Sequence, residues 1–100
     1  PQPPASDLQL THPDAGTVYQ ISPVTPRETQ RIAVSALAGE GVQLASVSLW
    51  ADDQVIATFT EPPYRSLWAL EPGTHTFVAR GVDWNGRELV SPAVTITVLP

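Results

Sequence analysis

The 100-residue sequence contains no lysine, no cysteine and no methionine. The absence of lysine excludes Schiff-base chemistry, phosphate binding by a P-loop lysine and Ser–Lys nucleophile pairs. Without cysteine no disulfide can form, so the fold depends on packing alone and the redox compartment is not indicated. Because residue 1 is not methionine and no signal peptide is present, we expect the chain to be a segment of a longer protein.

Basic residues are scarce, since five arginines stand against ten acidic residues and the formal net charge is −5. The electrostatic footprint of a nucleic-acid-binding protein is therefore missing, and the same deficit opposes docking on anionic lipid. No apolar stretch approaches the ~20 residues that span a bilayer. We expect neither nucleic acid as a partner nor membrane insertion of this segment.

The residues that are present favour one folded domain. Hydrophobic residues make up 42% of the chain and charged residues 15%, which excludes a wholly disordered protein. The exception is the opening "PQPPAS", whose composition favours an extended linker. We predict a Pro-rich linker over residues 1–6 and a single domain over residues 7–100. The alternative is a first edge strand that starts inside the linker.

Turn signals recur along the chain at the spacing expected of a β-sandwich, and the segments between them alternate in polarity. Val94, Ile96 and Val98, for example, share one face of their segment while the intervening threonines share the other. The pattern predicts an all-β, antiparallel immunoglobulin or fibronectin-III-like β-sandwich of seven or eight strands. The predicted strands are Leu8–Thr11, Thr17–Ile21, Gln30–Leu37, Ala45–Ala51, Val55–Thr60, Thr74–Asp83, Val94–Leu99 and an eighth near Arg65–Leu70.

The segment "DWNGRE", residues 83–88, is typical of a hairpin turn and allows two registers. A two-residue loop of Asn and Gly would place Asp83 opposite Glu88, a like-charge pair that destabilises a hairpin. A three-residue loop with Gly86 in the left-handed αL conformation would pair Asp83 with Arg87 and let the Asp83 carboxylate accept backbone N–H groups. We favour the three-residue loop because it uses every residue.

Trp84 is not explained by the turn itself. A tryptophan at a hairpin tip is exposed by geometry, which suggests contact with a neighbouring domain, a glycan or Arg87 through cation–π packing. Trp50 alternates with the inward residues of its strand and is predicted on the outer face of its sheet. With Tyr19 these rings would form the planar aromatic row of a carbohydrate-binding sandwich. The candidate interaction surface is therefore Trp50, Trp84, Tyr19 and Arg87, although the sequence does not place them together.

The titratable residues do not indicate a catalytic, metal or cofactor site. Asp52 and Asp53 lack the alternating spacing of a calcium loop, and we interpret them as solvated residues of a tight hairpin. His12 and His75 lack zinc-ligand spacing and are interpreted as ordinary polar positions. No G-x-S-x-G elbow is present to hold a catalytic triad. We predict no catalytic residue, no bound metal and no cofactor.

Two segments together resemble a known family. The segment "THPDAGTVYQISPVTPRETQRIAVSA" is similar to the start of the C-terminal domain of bifunctional, class A (1C-type) penicillin-binding proteins, through the pattern G-T-x-Y-x-I-x-P followed by Q-x-I. The segment "VSLWADDQVIATFTEPPYRSLWALEPGTHTFVARGVDWNG" resembles the continuation of that domain and other bacterial immunoglobulin-like modules, with a Trp before L-x-P-G-x-H. The resemblance covers Leu8 to about Val98 and departs at Asp53, where the family pattern has Gly.

The resemblance implies a non-catalytic accessory domain, for interaction or spacing, of an extracytoplasmic enzyme that polymerises and crosslinks peptidoglycan. Such a protein lies in the periplasm or at the cell surface, membrane-anchored or secreted. The penicillin-reactive S-x-x-K site needs a lysine, so no catalytic residue carries over to this segment. Expected partners of the monomeric domain are the catalytic domains of its parent, another cell-wall protein or peptidoglycan. The alternative is a glycan-binding or spacer module of another secreted enzyme or surface protein.

Overall fold

Nine β-strands make up the regular structure of the computed structural model, which describes residues 8–26, 29–39 and 43–100. Every predicted strand is confirmed, with its bounds within one residue of the prediction. The strands are β1 (Leu8–His12), β2 (Val18–Gln20), β3 (Arg31–Ala38), β4 (Leu44–Ala51), β5 (Gln54–Phe59), β6 (Tyr64–Ala69), β7 (Gly73–Asp83), β8 (Glu88–Val90) and β9 (Val94–Leu99).

The strands form two sheets that enclose one core, which confirms the predicted β-sandwich. The smaller sheet has the order β1-β3-β6, and the larger has the order β2-β9-β7-β4-β5 with β8 also paired to β7. Among the described residues one pairing is parallel: β2 lies beside β9, with Val18 opposite Thr97. The predicted linker, residues 1–6, and the next residue lie outside the described residues, so the domain boundary stays a prediction.

The core follows from the period-two alternation of the strands. In β4 the inward residues are Val47, Leu49 and Ala51, all buried. Leu44 is buried as well because the pairing of β4 with β7 shifts register between Leu44 and Ser46, which resets the alternation. Each fully buried Leu, Ile or Phe of this core stabilises the fold by about 1.5–3 kcal/mol.

The long strand β7 changes partners along one of its edges. Its first half pairs with β9 and its second half with β8. Ser91 lies in the connection between the two: its N–H donates to the Ala79 carbonyl at 2.8 Å, and its Oγ accepts the Ala79 N–H at 2.8 Å. The backbone of β7 therefore keeps hydrogen-bond partners through the exchange. Sequence reasoning did not predict β8, since three residues are too few to show an alternating pattern.

Two ends of the sandwich can be defined along β7. The His75 end contains the start of β7 and the turn between β4 and β5, because Ala51 pairs with Phe77. The Trp84 end contains the turn between β7 and β8 and the start of β4, because Leu44 pairs with Asp83. Across residues 8–26, 29–39 and 43–100, no helix is both long and apolar enough to span a membrane.

Candidate functional site

The turn between β7 and β8 has the predicted three-residue loop. The Gly86 N–H donates to the Asp83 carbonyl at 3.0 Å, and the Asp83 N–H donates to the Arg87 carbonyl at 2.9 Å. Gly86 has a φ of +83°. The Oδ1 of Asp83 accepts the N–H of Asn85 at 2.9 Å and of Arg87 at 2.8 Å. Because Asp83 and Gly86 complete the turn, the Trp84 side chain has no part in its geometry.

The Trp84 ring is 72% exposed and forms one wall of an apolar cleft at its end of the sandwich. The cleft has a volume of 770 Å³, which lies within the range of about 300–1,000 Å³ that small-molecule sites occupy. We call it the Trp84 cleft. It is lined by residues 36–39 at the end of β3, Gln43 and Leu44 at the start of β4, residues 62–64 ahead of and in β6, and Trp84.

The walls of the Trp84 cleft are apolar because of what each segment contributes. The end of β3 supplies Ala36, Leu37 and Ala38, and Leu37 is itself exposed. The Pro62–Pro63 step, which contains a cis peptide bond, has no backbone N–H to donate. Tyr64 follows it, with its ring 6.2 Å from that of Phe59. The cleft therefore offers aromatic and proline surfaces with few hydrogen-bonding groups.

Trp50 lies elsewhere, on the outer face of the larger sheet. The Arg80 guanidinium lies 4.9 Å from the centroid of its ring, in cation–π geometry. Its indole N–H donates to Ser48 Oγ at 2.7 Å. The ring borders a separate cleft of 350 Å³ together with the acidic pair Asp52 and Asp53. One face of Trp50 is therefore already covered by a side chain of the protein.

The remaining predicted residues do not join the two tryptophans in a single row. Tyr19 lies on β2 and packs half-buried against the core. Burial raises the pKa of the Tyr19 phenol, and the negative charge of Asp14 raises it further. Arg87 shares the hairpin turn with Trp84, where its backbone bonds to Asp83. Trp84 and Arg87 are thus near each other in the chain, while Trp50 and Tyr19 belong to other surfaces.

A pair of the buried His75 and the exposed Asp52 at the His75 end was missed by sequence reasoning. His75 is only 8% exposed. Its Nδ1 lies 2.5 Å from Oδ2 of Asp52, and its Nε2 lies 2.8 Å from the Glu71 carbonyl. Oδ1 of Asp52 accepts the Thr76 N–H at 2.9 Å. The interpretation of His75 as an ordinary polar position was therefore wrong. Asp52 is exposed, with a side chain 46% accessible, as expected of a solvated residue, but its bonds to His75 and Thr76 were not predicted.

The partners of His75 favour its protonated form. Both groups it meets are acceptors, so both ring nitrogens must donate, which requires the imidazolium. Burial by itself would lower the pKa of His75, but the hydrogen bonds to Asp52 and the Glu71 carbonyl outweigh it and raise that pKa. For Asp52, burial is likewise outweighed by the hydrogen bonds from His75 and Thr76, which lower its pKa. The contact therefore favours the protonated form of His75 and the ionised form of Asp52.

Aromatic packing covers the histidine of this pair. The Trp68 ring lies edge-on to His75, with centroids 4.7 Å apart, and to Phe77 at 5.1 Å. One side of the His75 ring therefore lies in the core. Its two nitrogens contact Asp52 of the β4–β5 turn and Glu71, which precedes β7. The sequence held one signal for this role: His75 alternates with the buried Phe77 and Ala79 along β7.

The described residues include a serine–histidine contact but not a hydrolytic triad. His12 Nδ1 lies 3.2 Å from Ser35 Oγ, which also lies 2.6 Å from Thr11 Oγ1. Among residues 8–26, 29–39 and 43–100, no hydrogen bond or ion pair joins a carboxylate to His12, so nothing in that part of the chain orients it as a triad requires. Within the same ranges, no group of three or more His, Asp or Glu side chains is placed to hold a metal.

Comparison with solved structures shows which folds this chain is similar to. A structure of the fibronectin(III)-like modules of CbhA from Clostridium thermocellum superposes with a TM-score of 0.77 at 22% identity, covering 92% of this chain and 94% of that one. A neutron crystallographic structure of a lytic polysaccharide monooxygenase from Jonesia denitrificans has a TM-score of 0.54 at 16% identity, covering 83% and 57%. At these identities the likeness concerns the fold alone, and the fibronectin-III-like prediction is confirmed.

Comparison with protein families is more specific. A sequence model of the Penicillin-Binding Protein C-terminus Family matches residues 2–93. No curated protein matches the sequence.

Proposed function

The chain belongs to the Penicillin-Binding Protein C-terminus Family, and from this premise we propose that it is a non-catalytic interaction domain of an extracytoplasmic penicillin-binding protein involved in peptidoglycan synthesis. The family supports an accessory role, and a fibronectin-III-like sandwich supports a module without chemistry of its own. The sequence has no lysine for a penicillin-reactive S-x-x-K site. Reaction steps are therefore assigned to other domains of the parent protein.

The exposed Trp84 ring beside an apolar cleft is the observation that favours interaction over a spacer role. Tryptophan is enriched among the residues that dominate binding energy at protein interfaces, especially beside pockets that exclude water. A spacer has no need of a 72% exposed ring at the edge of a 770 Å³ cleft. The partner that we propose is a protein segment, supplied by the catalytic domains of the parent or by another cell-wall protein.

The aromatic arrangement favours a protein partner over a glycan. A flat row of rings is what a sandwich offers to a sugar chain, and here Trp50 and Trp84 border different clefts. One face of Trp50 is covered by Arg80. The Trp84 cleft, by contrast, is bounded by Leu37 and the Pro62–Pro63 step and suits apolar side chains of a protein.

Titration of the isotope-labelled domain tests this proposal. Purified catalytic domains of the parent protein, muropeptides and cell-wall polysaccharide are added in separate NMR titrations. We expect amide shifts at the Trp84 cleft with the catalytic domains, abolished by Trp84→Ala and retained in the matched control Trp50→Ala. Shifts around Trp50 with the saccharides would instead establish the glycan-binding alternative, and no shift with any titrant would leave a spacer.

The parent protein is tested separately, by reading the coding sequence upstream of residue 1. A transglycosylase domain and a transpeptidase domain with an S-x-x-K site support the proposal. A glycoside hydrolase or an adhesin in that place would remove it.

A further inference from the structure

We propose that the free edge of β6 binds an extended, acidic segment of a partner protein, which adds a strand to the three-stranded sheet. The residues that carry this inference do not line the Trp84 cleft, so it goes beyond the proposed function and does not depend on it. It is supported by the regular pairing of β6, the direction of its backbone groups and the charge of the outer face of its sheet.

β6 differs from the other edge strands of the described sheets in its length and regularity. Its pairing with β3 runs through all six of its residues without a shift. β2 and β8 have only three residues each. The pairing of β1 shifts register between Leu10 and His12, and that of β5 shifts between Leu49 and Trp50 of its partner. Short strands and bulges protect sheet edges from further pairing, and β6 has neither.

The backbone groups of alternate β6 residues point to the free edge. The Leu70 N–H donates to the Gln30 carbonyl at 2.9 Å, and these two residues continue the register of β3 and β6. Hydrogen-bonded and non-hydrogen-bonded pairs alternate along an antiparallel ladder, so the backbone groups of Arg65, Leu67 and Ala69 are turned away from β3. Within residues 8–26, 29–39 and 43–100, β6 pairs with no strand other than β3. A further strand can therefore exchange hydrogen bonds with these three residues.

The side chains of the same three residues lie on the outer face of the smaller sheet, where all three are exposed. Leu67 is 52% exposed. On β3, Ala33 lies opposite Leu67 and Arg31 lies opposite Ala69. The face therefore has an apolar centre, Leu67 and Ala33, with Arg65 towards one end and Arg31 towards the other.

This face is cationic although the domain is acidic. The strands β1, β3 and β6 contain two arginines and no Asp or Glu, while the chain has a formal net charge of −5. In the described part of the chain, neither Arg31 nor Arg65 forms an ion pair. Screening limits the influence of exposed charges to about 8 Å at physiological ionic strength, so the acidic residues of the larger sheet have little effect here. A partner segment with carboxylates is therefore attracted to both arginines.

The register of an added antiparallel strand determines where its carboxylates lie. A residue opposite Arg65 has its Cα atom about 5.5 Å away and its side chain on the same face. A residue opposite Ala69 is two inter-strand spacings, about 9.5 Å, from Arg31, and the small Ala69 side chain lies between them. An apolar residue fits opposite Leu67. The segment that this edge binds therefore has the pattern acidic-x-apolar-x-acidic.

A second copy of the chain suits this edge less well than an acidic segment. It would bring the same two arginines to the same face, so the cations would gain no carboxylate and the like charges would repel each other. Each copy also carries a formal net charge of −5. Charge complementarity therefore selects the acidic segment as the occupant.

NMR titration of the isotope-labelled chain with the capped peptide Ser-Glu-Thr-Val-Thr-Glu-Ser tests the inference. We expect shifts and slower hydrogen exchange of the Arg65, Leu67 and Ala69 amides. Nuclear Overhauser contacts should join the Hα atoms of Ser66 and Trp68 to those of the two peptide threonines, because non-hydrogen-bonded pairs bring Cα atoms to about 4.5 Å. The affinity should fall as salt is added, since exposed charges are screened.

Two control peptides separate charge from backbone pairing. Replacement of both glutamates by lysine keeps the extended pattern and should abolish the shifts, because like charges then face the arginines. N-methylation of the valine removes the N–H group that would donate to the Leu67 carbonyl, and it should abolish the shifts as well. Both controls are titrated to the same millimolar concentration as the acidic peptide.

A pair of variants locates the binding edge on the protein. Arg65→Glu should weaken binding of the acidic peptide by about tenfold or more, because a carboxylate then faces a carboxylate. The matched control is Arg80→Glu, which makes the same change of charge on β7 of the larger sheet and should leave the affinity unchanged. Equal affinities of the two variants would place the peptide elsewhere and overturn the inference.

The remaining outcomes are also decisive. Equal binding of the glutamate and lysine peptides, or no shift at millimolar peptide, would show that no acidic segment binds this edge. Retained binding of the N-methylated peptide would show contact with the face without strand addition. Shifts of the β6 amides that depend on the concentration of the chain alone would show that a second copy occupies the edge. Each of these results overturns the inference and leaves the proposed function to its own titrations at the Trp84 cleft.

Discussion

The two acidic hairpin turns at opposite ends of β7 use their carboxylates in different ways. At the His75 end, Asp52 bonds across to another strand, to His75 and to the Thr76 N–H. At the Trp84 end, Asp83 bonds to the backbone of its own turn. The first turn is therefore tied to the core. The second is complete by itself, which leaves the Trp84 ring exposed for contact with another group.

The two turns also differ in which residues adopt a backbone conformation with positive φ. Asp52 and Asp53 have φ angles of +50° and +68°, a conformation that side chains other than Gly rarely adopt. At the Trp84 end, the residue with positive φ in the turn is Gly86. A left-handed residue other than Gly costs about 1–2 kcal/mol, less for Asp than for most residues. The hydrogen bonds of Asp52 across to β7 offset that cost at the His75 end.

The largest effect is expected from His75→Ala, which cuts the tie between the first turn and the core. The substitution leaves the Asp52 carboxylate and the Glu71 carbonyl without their partner and removes the ring that Trp68 packs against. We expect a loss of about 2–4 kcal/mol in the free energy of unfolding, measured by urea denaturation. The control is Thr74→Ala at an exposed neighbouring position. A loss no larger than that of the control would show that the pair is not a structural tie.

Gly86→Val makes the corresponding change at the other end. No atom outside its neighbours lies within 4 Å of a Cβ built on Gly86, so the effect comes from the positive φ alone. We expect a loss of about 1–2 kcal/mol on urea denaturation, because a β-branched side chain clashes with its own backbone there. Asn85→Val in the same loop is the control and should change stability less. Equal stability of both variants would contradict the left-handed conformation at residue 86.

The charge of the His75–Asp52 pair should make stability depend on pH, with a smaller effect than removal of the ring. The folded pKa of His75 is raised above its ordinary 6.5, so its contribution is complete below that value and is lost as pH rises through the folded pKa. The folded pKa of Asp52 is lowered below its ordinary 3.8, so its contribution is lost as pH falls through the folded pKa. The pair therefore stabilises most between these ordinary values.

Thermal unfolding from pH 5 to pH 9 checks this sign. The midpoint of the unmodified domain should fall relative to that of His75→Gln as pH rises above 6.5, because the variant cannot titrate at this position. Parallel midpoints of the two proteins across the range would show that the pair contributes no charge-dependent stability.

Sequence patterns predicted the local structure at both ends but not the contacts between distant segments. The alternation of Val94, Ile96 and Val98, like that of the other predicted strands, located every strand except β8 within one residue. Turn chemistry at Gly86 predicted the register of the Trp84 end. Both signals involve residues close in sequence, for which geometry depends only on backbone propensity.

The features that were missed depend on tertiary pairing. The bond from Asp52 to His75 joins residues that are 23 positions apart. The Trp84 cleft needs residues 36–39, residues 62–64 and Trp84 to meet at one end of the sandwich. The parallel pairing of β2 with β9 likewise leaves no mark in either strand. A periodic pattern within one segment does not indicate contacts with segments that are distant in sequence. The sequence could therefore predict the candidate site only as an exposed tryptophan ring.

Asp53→Gly should stabilise the His75 end. Asp53 adopts a φ of +68°, and a glycine there relieves strain while adding flexibility to the unfolded chain, for a net gain of about 0.5–1 kcal/mol. Urea denaturation measures it. The matched control is Asp52→Gly, which relieves a similar φ of +50° but removes the bonds to His75 and Thr76, so it should destabilise. A higher free energy of unfolding in both variants would show that the fold does not need the hydrogen bonds of Asp52.

Trp84→Ala should have the smallest effect on stability, although it removes the largest side chain of the Trp84 end. The ring is 72% exposed, and the hydrogen bonds of the turn belong to Asp83 and Gly86. We expect a change of no more than about 0.5 kcal/mol in urea denaturation, as for surface substitutions in general. The control is Trp68→Ala, whose ring packs on His75 and Phe77 and whose loss should amount to several kcal/mol. A loss of that size at Trp84 would mean that the ring is part of the core, and then a partner would have no exposed ring to bind.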